Sequence, residues 1–119
     1  MQATQSMKRL ENIEPRKSRI IQNFARDTKH LLKKNVVAEY LFGSYATNKQ
    51  TTLSDIDILI IVKDYTPELQ WEISGLASEY SLKYDVCISP VLQDIRMWEK
   101  NRHYHTLFYQ EVSEHGIRL

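Results

Sequence analysis

The sequence predicts an α/β sandwich in which a small mixed β-sheet is packed with helices. Three observations predict it. Apolar residues recur at helical spacing in two long segments, three short runs are rich in β-branched residues, and the two kinds of segment alternate along the chain. A length of 119 residues with 42% hydrophobic composition fits one domain with a single core.

The charge balance and the cysteine content exclude several classes of protein. The chain has 16 basic and 15 acidic residues, so it lacks the cationic surface of a dedicated nucleic-acid binder. The segment Met1–Lys17 has no apolar core of a signal peptide, and Cys87 is the single cysteine, so we expect a cytoplasmic protein. The longest apolar run, Ile58–Val62, is too short to cross a membrane.

The first helix is predicted to begin at Pro15, a residue that suits the first helical position. Residues 1–14 are predicted to form a tail or a short helix, and residues 15–119 the domain. Asn35 is predicted to take the left-handed stop of the helix. The apolar positions that recur at helical spacing are Ile20, Ile21, Phe24, Ala25, Leu31 and Leu32.

Two strands are predicted to follow. Val36–Phe42 is rich in residues that favour strands and ends at Gly43. Ile58–Val62 is uninterrupted and aliphatic, which is typical of a strand covered on both faces. The connection between them has no room for a long crossover helix, so we expect this pair to be antiparallel.

A second long helix is predicted from Pro67, with Thr66 as its cap. Trp71 is expected to cover an edge of the core. The segment Tyr84–Ser89 is predicted as a third strand that ends at Pro90. The apolar side of the helix is formed by Leu69, Ile73, Leu76, Ala77 and Tyr80.

The last part of the chain predicts two short helices. They cover residues 92–100 and 106–114. Gly116 is expected to stop the last helix, and Ile117 to fold back against its final turn.

A pair of aspartates at the start of the central strand predicts a cation site. Asp55 and Asp57 are separated by one residue, so on a strand both carboxylates lie on the same face. Mg²⁺ prefers such oxygen ligands and completes its shell with water and phosphates. Asp85, at the start of the third strand, would supply a third carboxylate for a two-ion site. The alternatives are a turn with a capping aspartate, and an Asp85 that faces water.

The turn Gly43-Ser44 predicts a phosphate site. Gly43 allows close approach of the backbone to a ligand, while Ser44 adds a hydroxyl and nearby backbone N–H groups. Ser44 is otherwise simply a capping hydroxyl.

Together, Gly43-Ser44, ten intervening residues and Asp55-Ile56-Asp57 resemble the GS-x10-DxD signature of polymerase-beta-type nucleotidyltransferases. At this length the chain is most similar to the minimal nucleotidyltransferases (MNT), the antitoxin partners of HEPN-domain ribonucleases, from residue 15 onward. The resemblance implies Mg²⁺-dependent transfer from a nucleoside triphosphate. In such antitoxins the acceptor is a tyrosine of the toxin, which is adenylylated and silenced.

The resemblance also assigns roles to residues. Gly43 and Ser44 would hold the triphosphate of ATP, and Asp55 and Asp57 both metal ions. Asp85 would be the acid nearest the attacking hydroxyl.

One position departs from the family pattern. Many relatives have Gly-Ser-x-Ala-Arg-Gly, whereas this chain has Thr47 in place of the arginine. A cation that faces the phosphates is therefore missing. Lys49 and Lys63 are the alternatives, although each also fits a solvated surface lysine.

Three functions remain open at this point. The first is an antitoxin that transfers AMP from ATP to a tyrosine hydroxyl of its cognate HEPN toxin. The second is an antitoxin that neutralises the toxin by forming a complex, with weak or no catalysis. Transfer to a small molecule or a nucleic-acid end ranks last, because the larger relatives that perform it carry substrate domains for which this chain has no room.

Overall fold

The structure is a computed structural model that describes residues 10–119. The described residues form four α-helices and four strands. In chain order these are α1 (Pro15–Leu32), β1 (Val36–Phe42), β2 (Ile56–Val62), α2 (Pro67–Tyr84), β3 (Ile88–Asp94), α3 (Ile95–His103), α4 (Leu107–His115) and β4 (Ile117–Arg118).

The four strands form one mixed sheet in the order β3-β2-β1-β4. β1 runs antiparallel to β2 and to β4, whereas β2 runs parallel to β3. The prediction that β1 and β2 are antiparallel is confirmed, and so is the predicted class of a small mixed sheet packed with helices.

Helices cover both faces of the sheet. On one face, Ile58 and Ile60 of β2 pack in the larger core with residues of α1 and α2. On the other face, Leu59 and Ile61 pack in a second core with residues of α3 and α4. Both faces of β2 are therefore buried, as its uninterrupted aliphatic sequence predicts.

The end of α1 differs from the prediction. Lys33, and not Asn35, adopts the left-handed conformation, with φ 54°. The Asn35 amide donates to the backbone carbonyl of Asp64 at 2.9 Å, and its oxygen accepts from the Asp64 N–H at 2.9 Å. Asn35 thus joins the start of β1 to the end of β2.

Glu39 of β1 is a carboxyl fully buried beneath α1. Its Oε2 lies 2.7 Å from Oγ1 of Thr28, and that hydroxyl also lies 2.9 Å from the carbonyl of Ala25. A hydroxyl has one proton, so the Thr28 hydroxyl donates to one of these two oxygens at a time. Burial raises the pKa of Glu39 to about 7, although the Thr28 hydrogen bond and the charge of Lys29 lower it.

The predicted third strand is wrong in its bounds. α2 continues through Tyr84, Asp85 follows it in the left-handed conformation, and β3 begins only at Ile88. β3 then runs through Pro90, which the sequence interpretation placed after the strand. Proline has no N–H to donate, but β3 is an edge strand with neighbours on one side only.

The C-terminal elements also shift. α3 begins at Ile95, after Asp94 caps it by accepting from the Met97 N–H at 2.9 Å. Ile117 does not fold back on the last helix but lies in β4, where it pairs with Leu41 of β1.

Trp71 does not cover the core. Its side chain is 81% exposed on the outer side of α2, so that prediction is wrong.

The predicted tail is described only in part, because residues 1–9 lie outside the described residues. Within 10–14, Ile13 is buried in the larger core. The boundary at residue 15 stays a prediction. Ile13 precedes this boundary, yet it packs in the core of the domain. Among residues 10–119, no helix combines the length and the hydropathy that a membrane span requires.

Candidate active site

The two aspartates lie where β2 enters the sheet. Asp57 is the second residue of β2 and pairs with Phe42, the last residue of β1. Ile56, between the aspartates, is buried in the larger core beneath α1 and α2. Because side chains alternate along a strand, Asp57 projects from the face opposite to Ile56. Asp55 directly precedes the strand, two residues before Asp57.

The electrostatics of the pair favour a bound cation. Burial, and then the charge of Asp55, raise the pKa of Asp57 above its usual range. Within residues 10–119, neither aspartate makes an ion pair with a lysine, arginine or histidine. A divalent cation would relieve this repulsion, so the residues present fit Mg²⁺.

Gly43 allows the chain to turn directly against Asp57. It has φ +75°, a conformation that favours glycine, and a Cβ added here would collide with Oδ2 of Asp57. The turn continues as a single 3₁₀ turn, Gly43–Tyr45. Thr47, which stands in place of the family arginine, lies with its hydroxyl 3.3 Å from the Gly43 carbonyl and 3.4 Å from that of Ser44.

Ser44 follows the contact between Gly43 and Asp57. It is half-buried, and its hydroxyl has no hydrogen-bond partner among residues 10–119. The next two residues, Tyr45 and Ala46, are buried in the larger core. The turn is therefore anchored on one side, while the Ser44 hydroxyl is unpaired within residues 10–119.

Asp85 is placed differently from the other two acids. It lines a cavity of about 280 Å³ together with Lys17 and Tyr45. Asp55 lines a separate groove of about 620 Å³. In the part of the chain that the structure describes, no three His, Cys, Asp or Glu side chains form a group that could hold a metal.

The neighbour of Asp57 on the adjacent strand is a serine. The β2–β3 register pairs Asp57 with Ser89. The prediction that Asp85 starts the third strand is thus wrong, and its catalytic role stays a prediction.

Sequence reasoning missed Cys87 as a residue of the site. The backbone N–H of Ile56 donates to the Cys87 carbonyl at 2.7 Å, which brings the two chain segments together. The hydrogen bond with Asp55, burial, and the charges of Asp55 and Asp57 raise the pKa of the Cys87 thiol. A sequence signal that could have found it is the spacing of Cys87 and Ser89 around the start of β3, which matches that of Asp55 and Asp57 around the start of β2.

Of the two lysines considered as replacements for the arginine, Lys63 is excluded. It follows the last residue of β2, six residues from Asp57, which corresponds to roughly 20 Å along a strand. Lys49 remains possible, because its backbone N–H donates to the Ser44 carbonyl at 2.9 Å.

Comparisons with known proteins agree with this geometry. Residues 8–119 match the model of the family described as Polymerase beta, Nucleotidyltransferase. The chain belongs to this family. The predicted resemblance to polymerase-beta-type nucleotidyltransferases is confirmed.

Individual members of the family are also similar. One, from Methanocaldococcus jannaschii, is named a protein adenylyltransferase and is 37% identical over 101 residues, 84% of this chain and 95% of that protein. A crystal structure of a toxin–antitoxin complex with AMP-PNP is 25% identical with a TM-score of 0.53, over 81% of this chain and 69% of that one. A variant of the MntA–HpeT toxin–antitoxin complex has the same TM-score and coverage at 23% identity, and supports the fold.

Proposed function

We propose that this nucleotidyltransferase is an antitoxin that transfers AMP from ATP to a tyrosine hydroxyl of its cognate HEPN toxin, and so silences it. The observation that carries the proposal is the Asp55–Asp57 pair: the charge of Asp55 acts on Asp57, Asp57 lies against the Gly43 turn, and neither aspartate makes an ion pair within residues 10–119. The adenylyltransferase relative and the similar complex with AMP-PNP support both ATP as the donor and a protein as the acceptor.

In the proposed reaction, the aspartates and the Gly43-Ser44 turn have different roles. The tyrosine hydroxyl gives up its proton to solvent and its oxygen bonds to the α-phosphorus of ATP, while the bond from that phosphorus to the bridging oxygen breaks and pyrophosphate leaves with the electron pair. Asp55 and Asp57 would hold Mg²⁺, which we propose as two ions. When bound, Mg²⁺ would neutralise charge on the phosphates and lower the pKa of the acceptor hydroxyl. Ser44 donates its hydroxyl to the triphosphate, which the Gly43 turn lets approach the backbone.

The role of Asp85 rests on the family resemblance alone. It would be the acid nearest the attacking hydroxyl, yet it lines a different cavity from Asp55. Asp85→Asn should therefore leave ATP binding unchanged but slow transfer if the resemblance holds for this residue. Normal transfer by this variant would remove Asp85 from the proposal.

The second candidate is an antitoxin that acts by forming a complex. It is favoured by Thr47, which stands in place of the arginine and whose hydroxyl lies within hydrogen-bonding distance of two carbonyls of its own turn. Stoichiometry separates the two candidates. Silencing by far less than one equivalent, and only with ATP, requires catalysis; silencing that follows complex formation without ATP contradicts it.

The direct test incubates the chain with the HEPN toxin proposed as its partner, Mg²⁺ and α-labelled ATP. We expect label on the toxin, a mass increase of whole AMP units on tyrosine by mass spectrometry, and loss of ribonuclease activity. The same reaction with Asp57→Asn is the control. Unlabelled toxin under conditions where the two proteins bind would contradict the proposal. ATP and Mg²⁺ are both available in the cytoplasm, where we propose that the protein acts.

A further inference from the structure

α2 carries apolar residues on two opposite sides. Ile73, Ala77 and Tyr80 are buried against the sheet. Trp71 and Leu82, by contrast, are 81% and 88% exposed. They are eleven residues apart, about three helical turns, and therefore lie on the same side of the helix. The buried residues of α2 stabilise the core, whereas the core gives no role to the exposed pair Trp71 and Leu82.

The surface between Trp71 and Leu82 is open. Gly75 and Ser78 lie between them at helical spacing, and both are exposed. A Cβ added at Gly75 would meet no atom within 4 Å. We call the row Trp71, Gly75, Ser78 and Leu82 the outer stripe of α2. It has a large apolar side chain at each end and a low centre, which suits an apolar side chain of a partner.

The two borders of the stripe differ in charge. Three exposed glutamates, Glu68, Glu72 and Glu79, lie along one border. None of them makes an ion pair with another residue of 10–119. One cation lies near the end of the stripe, where Lys83 Nζ is 5.3 Å from the centre of the Tyr84 ring. The acidic border is therefore complementary to lysine or arginine on a partner.

The other border opens into the groove that contains Asp55. Ser78 and Leu82 of the stripe line this groove of about 620 Å³ together with Asp55, Cys87 and Ser89. A partner seated on the stripe would thus lie beside the candidate active site. This continuity links an exposed helix surface to the carboxylates.

We propose that the outer stripe of α2 docks the protein acceptor, through an amphipathic helix whose apolar side chains pack between Trp71 and Leu82. Lysine or arginine residues beside that apolar face pair with Glu72 and Glu79. The groove then admits the acceptor hydroxyl toward Asp55. The inference rests on the proposed function and assigns its acceptor to one surface.

The test uses the intact chain and the toxin, and measures binding without ATP separately from transfer. We expect Trp71→Ala/Leu82→Ala to weaken toxin binding at least tenfold and to raise the KM for the toxin by a similar factor. The affinity for Mg²⁺-ATP should not change, because Ser44, Asp55 and Asp57 are all kept. Glu72→Lys/Glu79→Lys should weaken binding and reduce its dependence on salt.

Leu107→Ala is the matched control, because Leu107 is 83% exposed on α4, on the other face of the sheet. Binding by the Trp71/Leu82 variant within twofold of the unchanged chain would overturn the proposal, as would an equal loss in the Leu107 variant. A dimer of the chain alone that only the Trp71/Leu82 variant dissociates would assign the stripe to a second copy and also overturn it. If the toxin binds the stripe but is never adenylylated, docking stands and the proposed function fails.

Discussion

Two carboxyl sites lie on neighbouring strands of the sheet, and they accommodate their charge in different ways. Glu39 is fully buried, meets the hydroxyl of Thr28, and has its pKa raised to about 7, so it is neutral in mildly acidic conditions. Asp57 is half-buried beside the charge of Asp55 and, within residues 10–119, pairs with no cation. A buried carboxyl alone thus does not mark a site. The feature that we propose as the site is a pair of carboxylates at the start of a strand, one of them against a glycine turn.

The largest effect should come from the aspartate pair. Asp55→Asn or Asp57→Asn should reduce AMP transfer roughly 100-fold or more, because a ligand of Mg²⁺ is lost at nearly constant side-chain volume. Without Mg²⁺, the melting temperature should stay the same or rise, because the repulsion within the pair is relieved. Initial rates and thermal unfolding with and without Mg²⁺ measure both.

Asp64→Asn is the control for this pair, because Asp64 is exposed just beyond the other end of β2. It should leave transfer unchanged. Normal transfer by the Asp55 and Asp57 variants would contradict the proposal that this pair, unlike Glu39, binds the metal.

Glu39 should make stability depend on pH. Its pKa rises from an ordinary 4.5 to about 7 in the folded chain. Between these values the folded state holds a proton that the unfolded state lacks, so stability should fall as pH rises, by roughly 3 kcal/mol across the window. Glu39→Gln should remove this slope. Urea unfolding at pH 5 and at pH 7.5 measures it, with the exposed Glu79→Gln as control; the same slope in all three proteins would show that Glu39 is not the group responsible.

A smaller effect should follow from the turn that meets Asp57. Gly43→Ala should cost about 1–2 kcal/mol of stability because of its positive φ, and should slow transfer by displacing the Asp57 carboxylate. Gly75→Ala is the matched control. Gly75 lies in a helix with open space around it, so this variant should stabilise the chain by about 0.5–1 kcal/mol. Equal stability changes in the two variants would contradict this account of Gly43.

The sequence was informative where structure is set locally. The spacing of Asp55 and Asp57 predicted neighbouring carboxylates, and the charge of Asp55 does act on Asp57. The aliphatic run of β2 predicted cover on both sides. The sequence prediction failed at Asp85, because α2 continues through Tyr84. Arg16, 68 residues away in the sequence, donates to the Tyr84 carbonyl at 2.6 Å. Within the helix, the Tyr84 ring also packs on Tyr80, with 5.4 Å between the ring centres. These contacts override the strand preference of the segment after Tyr84.

Trp71 shows a second limit of sequence reasoning. Helical periodicity identifies the buried side of α2 but gives no reason to place a tryptophan outside it. Whether Trp71 is exposed depends on which side of α2 packs against the sheet, and the folded structure shows this directly.

The two outer strands of the sheet bear on aggregation. An open strand edge offers unpaired backbone groups to which another unfolded or folded chain can add. Here one edge, β3, carries Pro90 within it, and the other, β4, is two residues long. The proline that the sequence interpretation took for the end of a strand thus interrupts the row of donors that a growing β-fibril would need. Both edges are therefore poor templates for the addition of another strand, which favours a chain that stays dispersed at high concentration.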